Sequence, residues 1–530
     1  MIAPTLQSLF RDALPGDPDG APTTPRQVYG AHWSRATPTP VSAPKLAIWV
    51  SEVAAELGLP SQLEDASERE RWAGYLSGNA LLPGSRPYAM AYGGHQFGHW
   101  AGQLGDGRAI VLGDLVHEGR RHEVQLKGAG RTPYSRQGDG RAVLRSSIRE
   151  LVCGEALHHL GVPTTRALAL VTTGDEVVRD MFYDGRPKLE PGAIVTRVAP
   201  TFVRLGNFEL FADRQDISNI ERLLDWVLRA HHPELTGDAP ASTVEDATRP
   251  TTLDQRIAFF VLLCERTARM IAHWMALGFV HGVMNTDNFS VLGLTIDYGP
   301  YGWLDHYDPG FTPNTTDNQS RRYAYGRQAG IGLWNLARLG DALASVIPVP
   351  ELEQGLLAYR QEVQASWARI MAGKLGLRTH DDALLGDLLA LMGQHETDWT
   401  LFFRHLARVS PEAPNLEDLG EIFYQPLGEG MTAAWSSWLE RHAKKVRDEG
   451  REPDARRRAM LAQNPWFIPR NHLVYQEIAR ASSGDFSGVE RLLNAARRPF
   501  DEAAFDPELA GRRPEWARQQ AGVSALSCSS

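Results

Sequence analysis

The stretch that most constrains this chain is His281 to Pro300, HGVMNTDNFSVLGLTIDYGP. A tight loop carries Asp287 and Asn288. A hydrophobic run follows (Phe289, Val291, Leu292, Leu294, Ile296) and folds back as a buried hairpin. A second loop opens with Asp297-Tyr298-Gly299. The hairpin therefore holds an oxygen donor at each end. Hard divalent cations want oxygen ligands, and Mg²⁺ usually takes one or two from protein and the rest from phosphates and water. Asn288 and Asp297 are the candidate ligands. His281 is either a ligand or base, or a histidine that braces the loop; its spacing to the Asp–Asn pair matches no metal-site pattern.

The segment is fed by a helix expected over Leu253–Leu277, amphipathic and ended by Gly278. Earlier, residues 88–113 are glycine-dense and lead into two strands, Arg108–Val116 and His122–Lys127. The turn before them, Gly105-Asp106-Gly107-Arg108, offers backbone N–H groups to phosphate oxygens, or is a plain turn. It fits neither the Walker A nor the dinucleotide pattern. Strand alternation puts Lys127 on the face of Gln125, opposite Leu126; such a lysine either snorkels or is paired. A second Gly/Arg-rich loop holds Asp139-Gly140, and a helix follows over Ala142–Leu160. Its Glu150 and Glu155 are five residues apart, roughly 140° around the axis, so one of them can face Lys127. Glu150, nearer the helix middle, is the expected partner. Arg197 and Arg204 emerge from apolar sequence (Val198, Phe202, Val203). They suggest a multidentate anion site such as a terminal phosphate, or two surface salt bridges.

Elsewhere the pattern is plainer. Residues 1–45 read as extended, 46–78 as helical (beginning LAIWVSEVAAELG), and 165–210 as strand-like. Residues 299–330 are polar and turn-rich, and 330–412 are mostly helical. The basic run 442–458 is broken by acids and reads as a solvated helical face. Residues 464–478 are expected to close against the active-site region, and the last 30 residues read as polar and extended. The chain has 530 residues, long enough for several lobes. At 43% hydrophobic, 22% charged and a formal net charge of −9, it is an ordinary globular composition with no argument for nucleic acid or an anionic membrane. No run approaches the ~18 apolar residues of a membrane span. The first residues lack a secretory pattern, and three cysteines (Cys153, Cys264, Cys528) make no disulfide framework, so a cytoplasmic location is expected. Cys153 and Cys264 fall in expected helices and read as buried core thiols.

The Asp287–Asp297 layout resembles the catalytic segment of protein kinases, but His281-Gly282-Val283 stands where the loop aspartate would be. A wider set of motifs, YGGHQFGHWAGQLGDGR, QLKGAGRTPYSRQGDGRAVLRSSIRE, TRVAPTFVRLGNFE, HGVMNTDNFSVLGLTIDYGP, NPWFIPRNH and the terminal Cys-Ser-Ser, resembles the selenoprotein O family from about residue 85 onward. The resemblance implies an α+β, protein-kinase-like two-lobed fold: an N-terminal extension (1–84), a β-rich N-lobe (85–214), a helical C-lobe (215–412) and a helical C-terminal extension (413–530). It implies a protein adenylyltransferase that moves AMP from ATP to Ser, Thr or Tyr hydroxyls of proteins, itself included. Carried over, Gly105, Gly107, Arg108, Lys127, Asp139, Gly140 and Asp297 contact nucleotide. Lys127 pairs with Glu150, and Arg197 and Arg204 hold the terminal phosphate. Asn288 and Asp297 hold Mg²⁺ or Mn²⁺, and Asp287 accepts the proton. Cys528 matches a family position with redox character, but residues 299–330 hold no cysteine to pair with it. A monomer without nucleic-acid or membrane partners is expected. Uridylyl transfer from UTP with Mn²⁺, phosphoryl transfer, and a silent nucleotide-binding scaffold are the alternatives.

Overall fold

The computed structural model describes residues 3–18, 20–182 and 184–527; Cys528 lies outside them. It is a mixed α/β structure built on one antiparallel eight-stranded sheet. The strands are β1 (Trp33–Arg35), β2 (Lys45–Trp49), β3 (Tyr88–Met90), β4 (Ala109–His117), β5 (Arg120–Lys127), β6 (Ala142–Val143), β7 (Arg166–Arg179) and β8 (Lys188–Ala199). Their order is β1-β3-β4-β5-β8-β7-β2, with β6 added to β8. The first 84 residues thus supply both outer strands.

Register decides which side chains share a face. Lys127 lies opposite Ala109 of β4 and Val195 of β8, and Gln125 lies opposite Val111 and Arg197. With a period of two, Gln125, Lys127 and Arg197 therefore project from one face. Val124 and Leu126 project from the other, into a core shared with Ile110, Leu112, Ile148 and Leu151.

Helix α1 (Leu144–His159) packs across β7 and β8. Helices α2 (Leu205–Asp213), α3 (Ile217–His231), α4 (Leu253–Leu277), α5 (Gln328–Leu343) and α6 (Val349–Lys374) surround a second core that includes Phe208, Trp226, Phe260 and Trp274. A third core, around Trp399, Phe402, Trp435 and Trp438, is closed by α7 (Asp382–Gln394), α8 (Trp399–Leu406), α9 (Glu429–Asp448) and α10 (Pro453–Leu461). Helices α11 (Asn471–Ala481) and α12 (Ser487–Arg497) return to the sheet side and pack on α1. Helix α4 runs as the sequence predicts. It starts on a Thr252–Gln255 capping box and stops at Gly278, whose φ of 76° is the left-handed cap that glycine adopts freely.

Four local expectations change. LAIWV is strand before it is helix: Lys45–Trp49 alternates exposed and buried positions along β7, and the helix occupies Ser51–Glu56. The 165–210 region ends in helix, because Asn207 Oδ1 accepts the Arg204 N–H at 2.7 Å and the Asn207 N–H donates to the Arg204 carbonyl at 3.1 Å, closing the first turn of α2. Residues 1–45 include a short helix, Leu9–Ala13, besides β1. The hairpin expected at 289–296 is a compact turn with one antiparallel bridge, Phe289 to Thr295, behind a 3-10 turn at Thr286–Asn288. Among the described residues, no helix is long and apolar enough to cross a membrane.

Candidate active site

A cavity of about 680 Å³ opens where the sheet face bearing Lys127 meets the 283–300 loops. Every residue assigned to nucleotide, metal or proton transfer from the sequence lines it. Glu150 stands behind it. The Lys127 ammonium lies 2.6 Å from Glu150 Oε2 and 3.5 Å from Asp297 Oδ1. Glu155, the other carboxylate of that helix, binds Arg166 instead, at 2.7 Å.

Both arginines turn inward rather than to solvent. Arg197 donates to Glu150 at 3.0 Å, to Asp297 at 2.6 Å and, through Nε, to Gln125 at 3.0 Å. Arg204 binds the other Asp297 oxygen, donates to the Asp287 carbonyl at 2.9 Å, and lies 3.4 Å from Asp106 and 4.6 Å over the Tyr92 ring. Three cations thus converge on Asp297. Burial alone would push its carboxyl up, but Arg204, Arg197 and Lys127 together hold it well below the usual carboxylate range. Burial pulls the Lys127 ammonium below its ordinary value, against the attraction of Glu150. Asp297 sits at φ 62°, the left-handed region that aspartate tolerates better than most residues.

Asp287 is placed differently. Its carboxyl is buried, with Oδ2 accepting a 3.2 Å hydrogen bond from Gln96 and Oδ1 without a partner among the described residues. Burial pushes it up to about 7, against the pull of Arg204. Close packing fixes it there. A Cβ on Gly94 would lie 2.8 Å from Asp287 Oδ1, and one on Gly206 would lie 2.1 Å from the Gly93 carbonyl. Asn288 donates its amide N–H to the Val283 carbonyl at 2.9 Å, which leaves its oxygen as the free end. His281 braces this turn, its Nε2 2.9 Å from the Ile296 carbonyl.

The glycine-rich loops form the outer wall. Gly105 holds φ 76° against Tyr134, and a Cβ on Gly107 would lie 3.0 Å from the Tyr134 carbonyl. Asp139 pairs with Arg179 at 2.7 Å. Further along, Arg470 of the 464–478 stretch ties Asp305, just past the 281–300 segment, to Asp398 at 3.0 and 2.8 Å. Cys153 and Cys264 are buried free thiols in α1 and α4, and burial pushes both well up.

Sequence reasoning missed Asp106 and Gln96. Asp106 is 1% exposed and accepts from Met90 N at 3.1 Å and Gln125 at 3.3 Å, while orienting Arg204. Its position between two glycines reads as a turn. Gln96 lies inside the YGGHQFGHWAGQLGDGR motif, where an uncharged amide gives no chemical signal of its own.

A profile of the family described as "Protein adenylyltransferase SelO" matches residues 26–497. The chain is 50% identical to the protein nucleotidyltransferase YdiU of Methylobacillus flagellatus, over 99% of this chain and 100% of that protein. It is 52% identical to the YdiU of Aromatoleum aromaticum over 99% of both chains, and 51% identical to that of Xanthomonas campestris over 98% of both.

Proposed function

We propose that this enzyme moves AMP from ATP to Ser, Thr or Tyr hydroxyls of proteins, itself included; the chain belongs to the SelO family of protein nucleotidyltransferases, and it is a nucleotidyltransferase. The observation that carries the finer reading is the division of labour between two aspartates ten residues apart. Asp297 is kept ionised by three cations, and Asp287 is buried, short of a partner and poised near 7.

A hydroxyl is a poor nucleophile, so a carboxylate within reach of its proton is needed, best with a pKa near the working pH. Asp287 takes that proton as the hydroxyl oxygen attacks the α-phosphorus, and the bond to pyrophosphate breaks. Arg197, Arg204 and Lys127 receive the β and γ phosphates, which places the α-phosphate toward Asp287. Gly105, Gly107, Arg108, Asp139 and Gly140 contact the rest of the nucleotide along the outer wall. The two-lobed, kinase-like division (N-lobe 85–214 and C-lobe 215–412, with extensions 1–84 and 413–530) is supported by the sheet origin of Lys127 and Arg197 and the helix-fed origin of Asp287, Asn288 and Asp297.

The donor types suit Mg²⁺ or Mn²⁺: the free amide oxygen of Asn288 and the ionised carboxylate of Asp297, whose oxygens are held here by Arg197, Lys127 and Arg204 and would turn to the ion as those cations take up phosphate. Among the described residues no three His, Cys, Asp or Glu groups form an all-protein metal cage, and Mg²⁺ prefers a site completed by phosphate and water. Asn288 and Asp297 would hold it. Bound there, the ion would neutralise charge on the departing pyrophosphate.

Nucleotidyltransferase, as the YdiU relatives are called, leaves the base open, so UTP stands as the second donor. Intact-mass analysis of the protein after incubation with ATP or UTP, and Mg²⁺ or Mn²⁺, tests the reading. An AMP adduct from ATP supports it. A UMP adduct in preference would make the enzyme a uridylyltransferase, a phosphate adduct would make it a kinase, and no adduct with nucleotide bound would leave a scaffold.

A further inference from the structure

A second pocket, of about 220 Å³, lies beside the first and is bounded by His95, Trp100, Glu209, Asp213, Arg338 and Asp341. At its floor is Glu209 of α2, whose side chain is 3% exposed. One carboxylate oxygen is bonded to His95 Nδ1 at 2.6 Å; the other, Oε2, is buried with no partner among the described residues. Burying an acceptor without a donor is costly, and such a group in a native fold calls for a reason. A donor that arrives with a ligand is one.

The charge balance says what kind of donor. Arg338 is already matched by Asp341 at 3.0 Å. Glu209 and the exposed Asp213 remain as excess negative charge, with His95 as the imidazole partner. Trp100 forms an aromatic wall, its ring 5.2 Å from that of His95. A carboxylate floor with an indole wall suits an ammonium or guanidinium group.

The pocket is joined to the reaction centre by one short hairpin, His95–Gln96 paired with His99–Trp100. His95 N donates to Thr286 Oγ1 at 2.7 Å, and Gln96 donates to Asp287. We propose that the pocket binds a lysine or arginine side chain of the polypeptide substrate, one that flanks the acceptor hydroxyl and holds it against Asp287. This rests on the reading of Asp287 as the base that serves protein hydroxyls. The acceptor sequence is then selected for a basic neighbour.

The test uses the full chain and synthetic peptides with one tyrosine acceptor and one arginine, placed at each nearby position in turn, each matched by a citrulline peptide of the same shape and no charge. Calorimetry without ATP reads binding alone. For the best-placed position, the arginine peptide should bind about tenfold or more tighter, the scale of a hydrogen bond to a buried charge. That advantage should vanish in Glu209→Gln and shrink in Asp213→Asn, an exposed site where folding is not at risk. Peptide KM should rise with ATP affinity unchanged. Equal affinity for all arginine and citrulline pairs, or an advantage that survives both variants, overturns the pocket. Label transfer from ATP separates the two claims. Charge-dependent binding without transfer would sink the reaction reading and leave the pocket; transfer to both peptides with equal kcat/KM would sink the pocket and leave the reaction.

Discussion

Replacing Asp287 by asparagine tests its proposed role as proton acceptor. Asparagine keeps the shape and the Gln96 contact but cannot take a proton. Loss of a general base lowers kcat by about 10² to 10⁴, or ~3 to 5 kcal/mol of transition-state stabilisation. The wild-type pH profile carries a sharper signature. A carboxyl pushed up to about 7 is ionised in about one molecule in eleven at pH 6 and about ten in eleven at pH 8. The base works only when ionised, so kcat/KM for the protein substrate should rise about tenfold from pH 6 to pH 8 and then level. With ATP also subsaturating, that parameter reports the free enzyme, the form in which the structure shows the surroundings of Asp287. ATP ionises in the same range, and the residual rate of Asp287→Asn retains only the nucleotide's share of the slope. The assay is initial-rate transfer of α-labelled AMP at subsaturating ATP and protein substrate. A wild-type profile already flat above pH 5, as an ordinary carboxylate would give, refutes the reasoning; so does a variant with full activity.

Further expectations bear on stability and packing. Lys374, at the end of α6, is buried with its ammonium 4.4 Å over Phe403, and burial lowers it from 10.5 to about 7. The unfolded chain therefore binds more protons between pH 7 and 10.5, and folding stability rises with pH across that window, by at most about 5 kcal/mol. Lys374→Met should raise Tm at pH 7, with a gap that narrows toward pH 10; a constant gap would refute the assignment. Glu150→Gln leaves Lys127 and Arg197 short of a buried partner and should cost about 3 kcal/mol in denaturant unfolding, with loss of transfer. Gly94→Ala should lower kcat by displacing Asp287, whose oxygen the new Cβ would meet at 2.8 Å, while circular dichroism stays unchanged; unchanged kinetics would show that the loop gives way.

What the sequence reveals follows the range of the forces involved. The Lys127–Gln125–Arg197 face was half legible: alternation along one strand puts Lys127 beside Gln125, but the register that brings Arg197 opposite Gln125 is set by long-range pairing. Helical angle showed that one of Glu150 and Glu155 faces Lys127, and the place nearer the helix middle picked out Glu150. Helix α4 was legible to the residue because both caps are local. KLAIW misled because its apolar residues fit either period until β7 pairs with them. Arg204 carried no visible cap signal, since arginine is not a preferred N-cap residue and its side chain is committed to Asp297. Asp106 hid inside a glycine turn that the fold buries. The poise of Asp287 was invisible, because it depends on Gly94, Gln96 and Arg204, three residues far from it in sequence.

The central claim is nucleotidyl rather than phosphoryl transfer by the cluster around Asp297. Purified protein is incubated with a divalent metal and ATP labelled at the α or the γ phosphate, beside an Asp297→Ala control. Label entering protein from the α position alone, and lost in the variant, is the predicted result. Label entering from the γ position would contradict it and remove the assignment of Arg197 and Arg204 to the terminal phosphate.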